Sequence, residues 1–258
     1  MQDLRSRIEQ LWDGKSQDIS CVHEAMRGMD RGEMQLLNKI DGVWKMNDHF
    51  KKAILLYFKH MKADVVADGF DKIPLKTQNW TTSDFETAGF RLVPGSTIRY
   101  SAHIAKSVIV MPSFINVGAF IDEGTMIDSH VTVGSCARIG KKCHISDGVT
   151  IGGVLEPPQA MPVIIEDDCF IGAKSVVAEG VLVEEGSVLA AGTILTASTR
   201  IIDRETGEIS YAKVPPYSVV APGMYTSSSG IGICCAVIVK RADEQIRKKT
   251  SINELLRT

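Results

Sequence analysis

The chain has 258 residues, and its 29 Lys and Arg against 31 Asp and Glu leave a net charge of −2. That near balance gives no reason to expect nucleic acid or an anionic membrane as a partner. Hydrophobic residues make up 44% but aromatics only 6%, which suits a core of Ile and Val. The N-terminal stretch is charged from its third residue and reads as neither a secretion signal nor a membrane span. Six cysteines show no metal-ligand spacing; Cys143, Cys169 and the adjacent pair Cys234–Cys235 are expected to pack in a reducing, cytoplasmic compartment.

Residues 1–95 predict a small α-rich domain. Leu4, Ile8, Leu11 and Trp12 give a first short helix one apolar face, and a second helix spans about 21–31. Asp41-Gly42 sits between two apolar runs and predicts a β-hairpin. Asp48 is expected to cap a helix running to about Met61, with Phe50, Ile54, Phe58 and Met61 along one stripe.

From residue 96 to 222 the pattern changes. Ile109, Ile115, Ile121, Ile127, Val133, Ile139, Ile145 and Ile151 recur every six residues, and the run resumes at Ile165, Ile171, Val177, Val183, Leu189, Leu195 and Ile201. Four residues after each of the first seven comes a small or medium side chain: Ser113, Ala119, Thr125, Val131, Ala137, Cys143 and Val149. No α-helix has a period of six, and a half-buried strand has a period of two. A six-residue unit fits a short strand plus a corner, three of which close one coil of a parallel β-helix. The rung aliphatic then points inward, and the Gly, Asp or Ser that often follows it is expected to take the corner's unusual backbone.

Two interruptions break the ladder. Between Ile151 and Ile165 the spacing is fourteen, so a loop at 153–162 carries extra chain stiffened by Pro157, Pro158 and Pro162. Solenoid insertions of this kind commonly build binding surfaces. Residues 202–211 predict a projecting hairpin around Thr206-Gly207. The remaining segment, 223–258, is a strand and helix extension: CCAVIV predicts a buried strand that covers the last coil, and the basic stretch 240–249 a solvated helix face.

GFRLVP (89–94), DEGTMIDSHVTVGSCARIGK (122–141), IGGVLEPPQA (151–160), EDDCFIGAKS (166–175), VEEGSVL (183–189), STRIIDRETGE (198–208) and INELLR (252–257), together with KIDGVW (39–44), resemble the tetrahydrodipicolinate N-succinyltransferase family. The resemblance covers nearly the whole chain, and GGVLEP and DRETGE lie outside the generic hexapeptide pattern. It implies a mainly β fold, a left-handed parallel β-helix, whose handedness the repeat cannot supply. It also implies a homotrimer with active sites between subunits. An active site assembled from a loop and a corner needs a neighbouring wall, so the 151–165 loop is expected to cross to a neighbour. The implied reaction moves a succinyl group from succinyl-CoA, a co-substrate and not a resident cofactor, to the amine of ring-opened L-2-amino-6-oxopimelate.

The resemblance makes Arg91, in GFRLVP, a substrate-binding arginine suited to clamping a carboxylate through two parallel hydrogen bonds. Asp128 matches the aspartate of the family's GTM-[IV]-D and becomes the expected base and acceptor-binding residue, placed at a corner with Val110 and Ser146 one coil away. Where the family usually has glutamate after GA-[RK]-S, this chain has Val176, and Glu179, half a repeat on, should face elsewhere. Lys174, Arg200, Lys213 and Lys240 are candidates for the CoA phosphates, and Gly153 and Ala173 for close backbone approach to its arm.

Other readings start from the histidines. Some hexapeptide acyltransferases use a histidine base, which makes His130 a rival to Asp128; its plainer role is packing. His103, His130 and His144 fall in different repeat phases and form no zinc set. The competing functions are another CoA-dependent N- or O-acetyltransferase and a non-catalytic solenoid scaffold, which Val176 favours. About 95 N-terminal residues are too few for the nucleotidyltransferase domain of a sugar-nucleotide pyrophosphorylase.

Overall fold

The computed structural model describes residues 2–242. Helices α1 (Gln2–Trp12), α2 (Ser20–Arg31) and α3 (His49–His60) pack together, with the hairpin β1 (Leu37–Ile40) and β2 (Val43–Met46) between the last two in sequence. Asp41 and Gly42 both have positive φ, as the two-residue hairpin turn requires. Leu4, Ile8 and Leu11 are buried, but Trp12 is 39% exposed, so α1 buries three of the four expected residues. Asp48 does not cap α3: its backbone is already helical and its side chain makes no capping bond. It instead faces Lys52 at 3.6 Å and Arg5 at 3.9 Å.

A second hairpin, β3 (Asp64–Val66) and β4 (Gly69–Asp71), and a seven-residue helix α4 (Thr82–Ala88) have no counterpart in the sequence reading. The signal for α4 was present. Asp84 accepts hydrogen bonds from Thr81 N and Oγ1, and Gly89 closes the helix at φ 71°. Trp80 and Phe85 from this segment pack with Phe90 against the first coil. The parallel pairing therefore begins at Arg91–Leu92, against Ile109–Val110.

The rest is the β-helix, built from two-residue strands on three faces. The first face runs through Arg91–Leu92, Ile109–Val110, Met126–Ile127, His144–Ile145, Phe170–Ile171 and Val188–Leu189; the second starts at Thr97–Ile98 and the third at His103–Ile104. Each rung from Ile115 to Ile151, and from Ile165 to Leu195, is fully buried and contributes roughly 1.5–3 kcal/mol. The small interior residues, including Cys143 and Cys169, are buried between them. Every cysteine is free, and burial pushes the Cys136 thiol, set where the helical domain meets the coils, up to about 12.

The ladder's first expected rung is displaced. Ile127 pairs with Val110, not Ile109, because the step from Val110 to the next rung, Ile115, is five residues where the steps around it are six. Val110 joins the core, and Ile109 faces outward beside Met126. The corner backbone also differs from expectation. Positive φ falls three residues after each rung from Ile115 to Ile145, at Gly118, Gly124, His130, Cys136, Lys142 and Gly148, and not directly after it. Gly134, directly after rung Val133, is needed for another reason: a Cβ there would lie 2.1 Å from Gly153 N in the next coil.

The loop 153–162 leaves at that contact. Leu155 and Met161 pack on this chain's own helical domain, and Lys51 donates to Ala160 O. Beyond the coils, Ile201–Asp203 and Ile209–Ser210 form the expected hairpin. Gly232–Arg241 inserts between Ile201–Asp203 and Ser218–Thr226, burying Ala236 and Ile238 over the last coil. Lys240 and Arg241 belong to that strand; the rest of the basic stretch and INELLR lie outside the described residues. No described helix is long and apolar enough to cross a membrane.

Candidate active site

In each two-residue strand the rung points inward and its predecessor points outward. On the first face this creates an outward ladder of Arg91, Ile109, Met126, His144, Phe170 and Val188, each registered on the next. Arg91 stands at its start, exposed and in no ion pair with another described residue. Two strands on, about 10 Å across the sheet, Met126–Ile127 leads into the corner that carries Asp128. The structure thus brings Arg91 and Asp128 onto one face. The five-residue step from Val110 to Ile115 puts Met111, not Val110, beneath Asp128.

Asp128 is half-buried and held from two sides. Its Oδ1 accepts a 2.7 Å hydrogen bond from Ser129 N. Its Oδ2 lies 3.5 Å from His144 Nε2, a neighbour that sequence reading did not assign to it. His144 also meets Phe170 edge-on, with centroids 5.2 Å apart. His103 holds the same place in its strand as His144 does, directly before a rung, but on a different face. Among the described residues no group of three His, Cys, Asp or Glu could hold a metal ion.

His130 does not pack in an interior. Its side chain is 78% exposed, with Nδ1 3.1 Å from Asp147 Oδ1. The other Asp147 oxygen takes Lys174 Nζ at 2.7 Å. These hydrogen bonds, first from Lys174 and then from His130, hold the Asp147 carboxyl below its usual range. His130, Asp147 and Lys174 form a charged ridge on successive corners beside Asp128.

Val176 faces outward on the second face, registered between Thr150 and Ile194. Glu179, at the following corner, accepts from Ala197 N at 3.1 Å. Of the cationic candidates, Lys213 lies on the third face and pairs with Glu184 at 3.0 Å. Arg200 stacks over Tyr225, with its guanidinium carbon 4.8 Å from the ring centroid. Lys240, in the last strand, is exposed and in no ion pair with another described residue. The four candidates are thus spread over different faces and coils. Gly153 has its own structural reason, since a Cβ there would meet Ser135 N at 2.0 Å.

Comparison with known proteins gives this geometry a family. A model of the tetrahydrodipicolinate N-succinyltransferase N-terminal region matches residues 3–60, and one of the hexapeptide repeat of succinyl-transferase matches residues 162–197. The chain is 52% identical to a 2,3,4,5-tetrahydropyridine-2,6-dicarboxylate N-succinyltransferase of Caulobacter vibrioides, over 100% of both chains. It is also 52% identical to the enzyme of that name from Bradyrhizobium diazoefficiens, covering 99% of this chain and 95% of that one. A solved chain from Campylobacter jejuni, described as a 2,3,4,5-tetrahydropyridine-2-carboxylate N-succinyltransferase, aligns over 90% of this chain and 63% of its own. Its TM-score of 0.50 at 16% identity is a likeness of fold. With half its residues identical along the full length of curated relatives, the chain belongs to the 2,3,4,5-tetrahydropyridine-2,6-dicarboxylate N-succinyltransferase family.

Proposed function

We propose that this chain transfers the succinyl group of succinyl-CoA to the amine of ring-opened tetrahydrodipicolinate, L-2-amino-6-oxopimelate, a step of diaminopimelate and lysine synthesis. The observation that carries the reading is full-length identity to curated enzymes of that name. The placement of Arg91 and Asp128 on one outward face agrees with it. Arg91 presents a planar, permanently charged fork to one acceptor carboxylate. Asp128 accepts a proton from the substrate ammonium, whose freed lone pair attacks the thioester carbonyl. The carbon–nitrogen bond forms as the carbon–sulfur bond breaks, the first proton passes from Asp128 to the leaving CoA sulfur, the second proton of the acylated nitrogen is released to solvent, and Asp128 returns to its carboxylate form. No role is assigned to Val176.

The phosphates of CoA fall to the C-terminal cations. Arg200 and Lys240 are not occupied by ion pairs with described residues, whereas Lys174 and Lys213 would first have to loosen from Asp147 and Glu184.

Arg91 and Asp128 stand on an open face, which needs a second wall to exclude water. We assign that wall to a neighbouring copy in a homotrimer. Because Leu155 and Met161 are turned onto their own helical domain, the exposed Glu156, Pro157 and Gln159 are the parts of the loop free to reach it. Light scattering at micromolar concentration should give a trimer; a monomer would remove the wall.

The direct test of the reaction is CoA release with 2-aminopimelate as acceptor. Turnover with succinyl-CoA and little with acetyl-CoA is expected. The reverse preference would favour a hexapeptide acetyltransferase, and no CoA binding by calorimetry would favour a scaffold.

A further inference from the structure

The outward ladder of the first face is apolar between Arg91 and the C-terminal strands except at one position. Ile109 and Met126 precede His144, and Phe170 and Val188 follow it. A histidine gains nothing from that row that a phenylalanine would not supply by stacking. What distinguishes it is the ring nitrogen aimed at the neighbouring corner, where Nε2 stands 3.5 Å from Asp128 Oδ2. The ring's tilt is set by its edge-on contact with Phe170, at an interplanar angle of 88°. The two residues are 16 apart in sequence and meet because successive coils stack.

The geometry points to His144 as the positioning residue of the acceptor site, a proposal that rests on the succinyltransfer reading. Ser129 N holds one oxygen of Asp128, and an N–H at His144 Nε2 holds the other. Together they fix the rotation of the carboxylate, so that the remaining lone pairs of Oδ2 face the open side where the ammonium arrives. A carboxylate tethered at one oxygen only would swing. A displacement of about 1 Å in a reacting group can cost on the order of 100-fold in rate. His144 takes no proton in this scheme; it donates one hydrogen bond throughout, and the ammonium proton travels through Asp128 to the departing sulfur. The charged groups around it are few. Asp128 faces it from the coil before, Asp147 stands at its own following corner but is engaged by His130 and Lys174, and Met126 and Phe170 flank it on its own face.

Two substitutions separate positioning from packing. His144→Phe keeps an aromatic ring against Phe170 and removes the nitrogen; His144→Gln loses the ring and keeps an N–H donor near the Nε2 position. Steady-state succinyltransfer to 2-aminopimelate should show kcat falling by up to about 100-fold in His144→Phe, with KM for succinyl-CoA unchanged. His144→Gln should restore most of the rate. Near-wild-type kcat in His144→Phe, measured on a protein of unchanged thermal midpoint, would overturn the proposal while leaving the reaction intact. So would a His144→Gln variant no better than His144→Phe. Absence of succinyltransfer by the wild-type protein would overturn the reading itself, and His144 with it.

Discussion

Lys39 and Glu166 are 127 residues apart in sequence, yet Lys39 Nζ lies 2.7 Å from Glu166 Oε1. Trp44 Nε1 donates to the same oxygen at 2.6 Å, and Glu185 N to the other at 3.2 Å. One nearly buried carboxylate thereby ties the β1–β2 hairpin of the helical domain to two coils of the β-helix. Burial alone would push this carboxyl up; the Lys39, Trp44 and Glu185 donors outweigh it and hold it below its ordinary value of 4.5. A carboxyl depressed in the folded state contributes stability that is present above the unfolded value and lost as pH falls through the folded one. Thermal midpoints measured from pH 7 downward should fall below about pH 4.5. In Glu166→Gln that acid slope should flatten, with a loss of roughly 1–3 kcal/mol at pH 7. An acid slope identical to wild type would show that other carboxylates govern it.

Asp128→Asn should lower kcat by about 10²–10⁴, the usual worth of a positioned base. CoA affinity by calorimetry should barely change, because in the proposed reaction the carboxylate meets the amine and not the co-substrate. His130→Ala is the control. His130 stands exposed with Asp147 on Nδ1, the arrangement of an oriented imidazole base. If His130→Ala abolished turnover and Asp128→Asn did not, the base would be His130.

Arg91→Lys should chiefly raise KM for the dicarboxylate acceptor. A point charge cannot reproduce two parallel hydrogen bonds, and the loss should be roughly 1.5–3 kcal/mol in kcat/KM. Arg91 has no ion-pair partner among the described residues, so its substitution breaks no internal contact of that kind. An unchanged acceptor KM would place Arg91 outside the site.

Gly153→Ala and Gly192→Ala should differ in stability although both add one methyl group. At Gly153 the methyl would lie 2.0 Å from Ser135 N and force two coils apart, whereas at Gly192 it meets open space and costs only the strain of φ 73°. Gly192→Ala should cost about 1 kcal/mol, and Gly153→Ala clearly more, by chemical denaturation. Equal losses would mean that the loop yields and the coils do not.

The period of six, the small interior residues and the two interruptions were legible in the sequence, because each coil repeats one local solution and needs neighbours of the same kind. Asp41-Gly42 was legible for a similar reason: a two-residue turn is a local demand. What the sequence could not settle was anything that depends on how coils stack. Ile109 looks like a rung and faces outward, since one residue fewer between Val110 and Ile115 shifts the register and leaves the interior to Val110. Trp12 fits the helical period of α1 and is left 39% exposed, because no neighbouring element covers it. Arg91 and Asp128 could be singled out by resemblance, but their common face follows from strand register. The neighbour of Asp128 was out of reach altogether. Spacing shows His144 to be a residue before a rung; tertiary stacking alone sets its ring nitrogen beside the carboxylate.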